Sequence, residues 1–232
     1  MRKKYKFGVV VFPGSNCDDD LVYVLSDILE QNVVKLWHKD TDLQKVDGVF
    51  IPGGFSYGDY LRAGALAKYS PIMNSIKEFA NKGGFVFGIC NGFQILCESG
   101  LLPGTLLHNN NQNFICKNVF IKADNNKSLI TSKIDTNRAL MIPIAHAEGR
   151  FFADGQTITQ MRKKGQILFR YCDEYGELSE EVNPNGSIEN IAGICNEEKN
   201  VFGMMPHPER AADDELGNTD GLLIFQSILS NL

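Results

Sequence analysis

Several patterns are missing from this 232-residue chain, and each absence removes a class of protein. The six cysteines, Cys17, Cys90, Cys97, Cys116, Cys172 and Cys195, form no C-x-x-C pair and no zinc-type spacing, so no metal site is expected. A chain of this size also has no need of a disulfide framework, and the pattern fits a reducing cytoplasm. No apolar run approaches the roughly 18 residues that span a bilayer, which argues against a membrane protein. The apolar stretch Phe7–Phe12 is cut by Pro13-Gly14, too early for a secretory signal, and reads as a first buried strand. Basic runs are limited to two triplets, Arg2-Lys3-Lys4 and Arg162-Lys163-Lys164. With a net charge of -5, that argues against nucleic acid as the main partner and favours small molecules or proteins. Histidine is scarce, at four residues, which narrows any search for a general base.

What is present, with 43% hydrophobic residues, is enough to bury a substantial core. The first half alternates short apolar strands with glycine-containing turns and helical patterns. Phe7–Phe12, Val33–Trp37, Gly48–Pro52 and Phe85–Ile89 read as strands; Asp18 to Glu30 and Ile72 to Ala80 read as helices. This βαβ alternation predicts an α/β fold: an open, mostly parallel sheet with helices on both faces and ligands beyond the carboxyl ends of its strands. After Pro103 the pattern changes to Phe114–Ile121, Leu140–Ile144, Gln166–Tyr171, Ile191–Cys195 and Val201–Met205, read as further strands. Asn109–Asn113 and Asn183–Ser187 read as loops, and 221–232 as a closing helix. Residues 1–232 are expected to form a single domain.

Gly88-Ile89-Cys90-Asn91-Gly92 sits where the strand ending at Ile89 turns into a helix. The spacing is that of a nucleophile elbow with cysteine in place of serine, and the two glycines leave room for a strained turn. A helix N-terminus beneath the sulfur favours the thiolate. A buried cysteine is otherwise an inert small hydrophobe, so the reading needs a base.

His38 and His108 have no carboxylate in a suggestive arrangement. Two His-x-Glu pairs remain, His146/Glu148 and His207/Glu209, in which an extended backbone would put the glutamate on the face of its histidine. Pro206 and Pro208 hold the chain around His207 away from helical geometry, at the carboxyl end of an expected strand, which favours His207 as base and Glu209 as its orienter. His146 and Glu148 are instead expected in a salt-linked loop lining the pocket or a subunit face, with Arg150 as partner. Backbone N–H groups of Asn91, after the nucleophile, and of Gly54, in the Gly53-Gly54 turn, are expected to form the oxyanion hole.

Gly53 to Gly64, Gly88 to Leu96 and Met204 to Ala211, together with Gly14 to Asp18 and Asn183 to Ser187, resemble the class I glutamine amidotransferases along nearly the entire chain. The chain departs at Ala147, where the family has glycine in His-Gly-Glu-Gly. The resemblance implies a flavodoxin-like amidotransferase fold and a Cys90-His207-Glu209 triad that hydrolyses L-glutamine through a thioester. Gln94 is implied to contact the glutamine, its alternative being a solvated helix position. The resemblance also implies partners: a large synthetase subunit, which uses ATP and Mg to turn formylglycinamide ribonucleotide into its amidine in purine biosynthesis, and a small accessory subunit. No cofactor is implied in this chain itself, and the lack of a G-x-x-x-x-G-K-[ST] loop agrees with ATP chemistry residing elsewhere. Tyr57, Tyr60 and Arg62, in a glycine-broken loop beside Gly54, are expected either to pack the loop or to dock the partner, and docking is favoured. Two other functions use the same motifs: a cysteine hydrolase acting on another acyl substrate, and an inactive scaffold.

Overall fold

The computed structural model describes residues 3–232, so Arg2 of the N-terminal basic run lies outside the described residues. The described chain divides into two compact units. One runs up to Leu102 and includes Asn200–Gly203; the other comprises Pro103–Lys199 and Met204–Leu232.

In the first unit, β1 (Lys6–Val11), β2 (Asn32–Trp37), β3 (Gly48–Ile51) and β4 (Phe85–Ile89) lie in the order β2-β1-β3-β4, with every pairing parallel. All residues of β3 and β4 are buried, as expected for parallel strands covered on both faces. Phenylalanines fill the space between neighbouring strands: Phe50 meets Phe7 edge-on at 5.3 Å and Phe85 at 5.7 Å. Aromatic pairs in this geometry add about 0.5–1.5 kcal/mol beyond their burial. The helices are α1 (Asp18–Tyr23), α2 (Pro71–Asn81) and α3 (Asn91–Glu98). The expected open α/β class is thus present, with strand positions close to those read from the sequence.

The helix expected from Asp18 to Glu30 changes character part-way. It is α-helical only to Tyr23 and continues as a π-turn over Val24–Ile28, closed by Leu29 N–H donating to the Val24 carbonyl. Ser26 donates its hydroxyl to the Val22 carbonyl at 2.8 Å, the kind of side-chain competition that bends a helix.

In the second unit, β5 (Thr105–Leu107) and β8 (Arg150–Phe152) form a short antiparallel ribbon. The longer strands β6 (Ile115–Ala123), β7 (Leu140–His146), β9 (Ile167–Cys172) and β10 (Ile191–Cys195) lie in the order β10-β9-β6-β7, all antiparallel. Helix α4 (Gly155–Lys164) was not anticipated. Only Ile158 and Met161 are buried along it, which leaves little apolar periodicity to read. Its ends are nonetheless well marked: Asp154 accepts from the N–H groups of Gln156 and Thr157, and Gly165 closes it at φ 63°. Strand β11 (Val201–Met204) neighbours β4, its first three residues counting with the first unit. Helix α5 (Leu222–Asn231) ends the chain in the second unit. Among the described residues no helix is long and apolar enough to cross a membrane.

One contact sets the junction of β4 and α3. A methyl group on Gly92 would lie 1.9 Å from the Ile51 carbonyl oxygen, and one on Gly88 would lie 2.6 Å from the Gly92 carbonyl. The first turn of α3 therefore rests directly on the end of β3, with no room for a side chain. Gly92→Ala is expected to destabilise the chain by about 2–4 kcal/mol, seen as a lower urea midpoint. Gly155→Ala, at a position where the added methyl meets nothing within 4 Å, is expected to be neutral or to stabilise by up to about 1 kcal/mol.

Candidate active site

Cys90 occupies the bend between β4 and α3 with φ 51° and ψ -106°, a conformation that L-residues avoid. Such strain at a strand-to-helix turn is the geometry of a nucleophile elbow, held here by the Gly88 and Gly92 contacts. The Cys90 carbonyl accepts from Gln94 N–H at 3.2 Å and so opens the helix, while the residue is 5% exposed. Three other cysteines are unsuited to nucleophilic work because burial raises their thiols: Cys172 to about 11, Cys195 to about 12, and Cys97 further.

Around the elbow, Asn91 is fully buried and ties down the loop after β3. Its Oδ1 accepts from Ser56 N–H at 3.1 Å, and its Nδ2 donates to Asp59 at 3.2 Å and to Gln94 Oε1 at 2.9 Å. Gln94 is buried, not on a solvated helix face. Gly54 adopts φ 128° and bridges to Ser15; a methyl there would lie 2.6 Å from Asn16 N. Glycine is therefore required at the position expected to supply an oxyanion donor.

Of the three loop residues singled out, Tyr57 turns inward. Its hydroxyl contacts His38 Nδ1 at 2.6 Å and Ser70 Oγ at 2.9 Å, which makes buried His38 a structural histidine. Arg62 pairs with Glu98 at 2.6 Å. Tyr60 stays 73% exposed beside Leu61 at 89%, an apolar tip on a loop whose residues 57, 58, 59 and 61 all have positive φ.

In the second unit, His207 and Glu209 are both buried, and His207 Nδ1 lies 2.6 Å from Glu209 Oε1. A carboxylate only accepts, so the proton sits on Nδ1 and Nε2 carries the lone pair that a general base needs. The backbone reason differs from the expected extended chain. His207 itself is non-helical, at φ -101° and ψ 87°, but Glu209 sits in a 3₁₀ turn over Pro208–Ala211 with Pro208 at its start. His207 N–H donates to the Pro143 carbonyl of β7 at 2.9 Å, which anchors the residue.

The second His-x-Glu pair is not a pair. Glu148 lies 3.3 Å from His108, contrary to the expectation that His108 has no carboxylate partner, and Arg150 donates to the His108 carbonyl at 3.0 Å. His146 instead places Nδ1 3.1 Å from Asn109 Oδ1, which also accepts from Gly149 N–H at 3.0 Å. Ala147 departs from glycine without consequence: it is exposed, and its carbonyl accepts from Asn109 N–H. Asn185 holds the same turn from the other side, donating to the Gly149 carbonyl at 2.8 Å. Asn109, Gly149 and Asn185 thus hold the turn that carries His146, a role that the sequence reading did not give them. The available signal was the density of asparagines in loops read only as turns, since each offers both a donor and an acceptor for stitching backbone segments together.

The profile of the CobB/CobQ-like glutamine amidotransferase domain matches residues 4–219. Phosphoribosylformylglycinamidine synthase subunit PurQ of Aquifex aeolicus is 56% identical over 226 residues, covering 97% of this chain and 100% of the relative. That of Koribacter versatilis is 54% identical over 224 residues, covering 97% of each. The chain belongs to the PurQ family of glutamine amidotransferases. A solved structure of PurLQS from Thermotoga maritima aligns with a TM-score of 0.86 at 41% identity, over 98% of this chain and 99% of that one. A glutamine amidotransferase from the same organism, 16% identical with a TM-score of 0.56, shares the fold. Membership in the PurQ family agrees with the resemblance read from the motifs.

Burial, reinforced by the charge of His207, lowers His146 to about 4 from an ordinary 6.5. Because the unfolded chain then takes up this proton first, the stability tied to neutral His146 is complete above about pH 6.5 and is lost as the pH falls towards 4. The loss is expected to be roughly 3 kcal/mol. Urea unfolding across this range is expected to show it in the native chain, and a shallower dependence in His146→Asn.

Proposed function

We propose that this chain is the glutaminase subunit of a phosphoribosylformylglycinamidine synthase, releasing ammonia from L-glutamine for a synthetase subunit. The observation that carries the chemistry is the strained backbone of Cys90, in a chain whose PurQ relatives match over nearly their full length. In this reading both compact units act as one amidotransferase domain, supported by a family match that runs through residues of each.

The Cys90 thiolate attacks the carboxamide carbon of glutamine after His207 Nε2 has taken the thiol proton. Glu209 holds the imidazole in the required tautomer and stabilises the imidazolium that forms. Backbone N–H groups of Gly54 and Asn91 receive the developing oxyanion, and Gln94 contacts the substrate. As the tetrahedral intermediate collapses, the proton on His207 passes to the leaving nitrogen, the C–N bond breaks and ammonia departs. The remaining γ-glutamyl thioester is hydrolysed by water, with His207 again acting as base, to give glutamate.

The synthetase subunit uses this ammonia with ATP and Mg to form formylglycinamidine ribonucleotide, and a small accessory subunit completes the complex in the cytoplasm. The PurLQS structure of the Thermotoga relative supports such an assembly. We assign docking to the exposed tip at Tyr60 and Leu61, aromatic and apolar side chains being effective interface anchors. Arg62 contributes through its pairing with Glu98, which braces the loop.

Glutamine hydrolysis, measured with and without synthetase and its nucleotide substrate, tests the assignment. Cys90→Ala and His207→Ala are expected to abolish turnover, and Glu209→Gln to lower kcat by roughly 10²–10⁴-fold. Full activity in Cys90→Ala would overturn the reading. Tyr60→Ala is expected to weaken synthetase binding by about tenfold, the size of a modest anchor, as read by titration calorimetry.

A further inference from the structure

The proposed triad chemistry makes no use of His146, yet the second unit is built closely around this side chain. Its tautomer follows from Asn109. The Nδ2 of Asn109 is committed to the carbonyls of His146 at 2.9 Å and Asn113 at 2.8 Å, which turns Oδ1 towards the imidazole. An amide oxygen only accepts, so His146 Nδ1, 3.1 Å away, carries the proton and Nε2 is a bare lone pair.

That lone pair is buried and has no hydrogen-bond partner. Leaving a buried acceptor unmatched costs about 1–3 kcal/mol, a cost that points to a donor arriving with a ligand. The ring is also locked in place. A methyl on Gly149 would lie 2.2–2.5 Å from three of its atoms, so glycine there allows the backbone to press on the imidazole face. The location is close to the proposed base: His207 N–H is anchored to Pro143, three residues before His146 on β7, and the two imidazoles interact electrostatically. Burial keeps His146 neutral through the physiological range.

A rigid, neutral acceptor beside His207 selects for a hydrogen-bond donor and against carbonyls and carboxylates. Glutamine has two such donors, the α-ammonium and the γ-carboxamide. A cation would be repelled by the imidazolium that forms on His207; the neutral carboxamide would not. We propose that His146 Nε2 accepts a hydrogen bond from the carboxamide nitrogen of glutamine and holds the leaving group while His207 protonates it. The C–N bond then breaks with the His207 proton on nitrogen, and ammonia leaves from a site where His146 is its first acceptor. This inference rests on the assignment of His207 as base.

The test compares two substrates in the full chain assembled with its synthetase: L-glutamine and L-glutamate γ-methyl ester, whose leaving oxygen has no N–H to donate. His146→Asn retains a donor for Asn109 and deletes the acceptor at Nε2. It is expected to lower kcat/KM for glutamine by about 10–100-fold, and for the ester by less than about threefold. His146→Gln, which returns an acceptor at comparable reach, is expected to recover much of the glutamine activity. Equal losses on both substrates, or no loss on glutamine, would overturn the proposal. Should His146→Asn fail to fold or assemble, Gly149→Ala carries the same comparison by displacing the ring: a selective loss on glutamine supports the proposal and an equal loss overturns it. His207→Ala separates the two readings, because it is expected to remove activity on both substrates; activity retained there overturns the base assignment itself.

Discussion

The seating of Gly92 against the Ile51 carbonyl is the constraint from which the geometry of Cys90, the proposed nucleophile, follows. With 1.9 Å available where a β-carbon would stand, the first turn of α3 rests on the end of β3, and the chain must bend sharply between Ile89 and Asn91. Cys90 absorbs that bend at φ 51°. The strain is maintained by the parallel strands beneath it, whose interleaved Phe7, Phe50, Phe85 and Phe87 leave β3 and β4 no freedom to relax. The same helix start carries Asn91, whose side chain fixes Ser56, Asp59 and Gln94, so the elbow and the loop after β3 share one hydrogen-bond hub.

The second unit solves a different problem, the placement of buried imidazoles. His207 is oriented by a carboxylate and His146 by an amide, and the chemical difference between those partners suits the two rings to the different roles proposed for them. Glu209 can stabilise a positive charge on its histidine; Asn109 cannot, and burial keeps its histidine neutral. Both rings depend on backbone held from a distance in sequence: His207 on Pro143, and the His146 turn on Asn109 and Asn185.

Much of this was legible from local patterns. The four parallel strands announced themselves as apolar runs between glycine turns, Cys90 by its glycine frame, and the His207-Glu209 pair by two prolines that keep His207 out of helix, although Glu209 itself lies in a 3₁₀ turn that begins at Pro208. Helix α4 escaped because only Ile158 and Met161 face inward, although Asp154 and Gly165 mark its ends. The π-turn after Tyr23 escaped because apolar spacing alone does not distinguish it from continued α-helix. The loop of His146 and Glu148 was legible only as salt-linked: Glu148 reaches His108 and Arg150 the His108 carbonyl, because at a turn side-chain direction is set by the backbone's partners and not by a two-residue spacing.

The sequence by itself determined which residue types could do the chemistry and that a strand-to-helix bend would present the cysteine, because glycine permits backbone conformations and close approaches that other residues avoid, and proline excludes helical ones around it, wherever they stand. Only the tertiary structure decided how the remaining histidines divide their roles. His38 is tied to Tyr57, His108 to Glu148, and His146 to Asn109. A histidine's proton position depends on whether its neighbour donates or accepts, and those neighbours come from segments 19 to 40 residues away, brought into place by strand pairing and loop closure rather than by any local pattern.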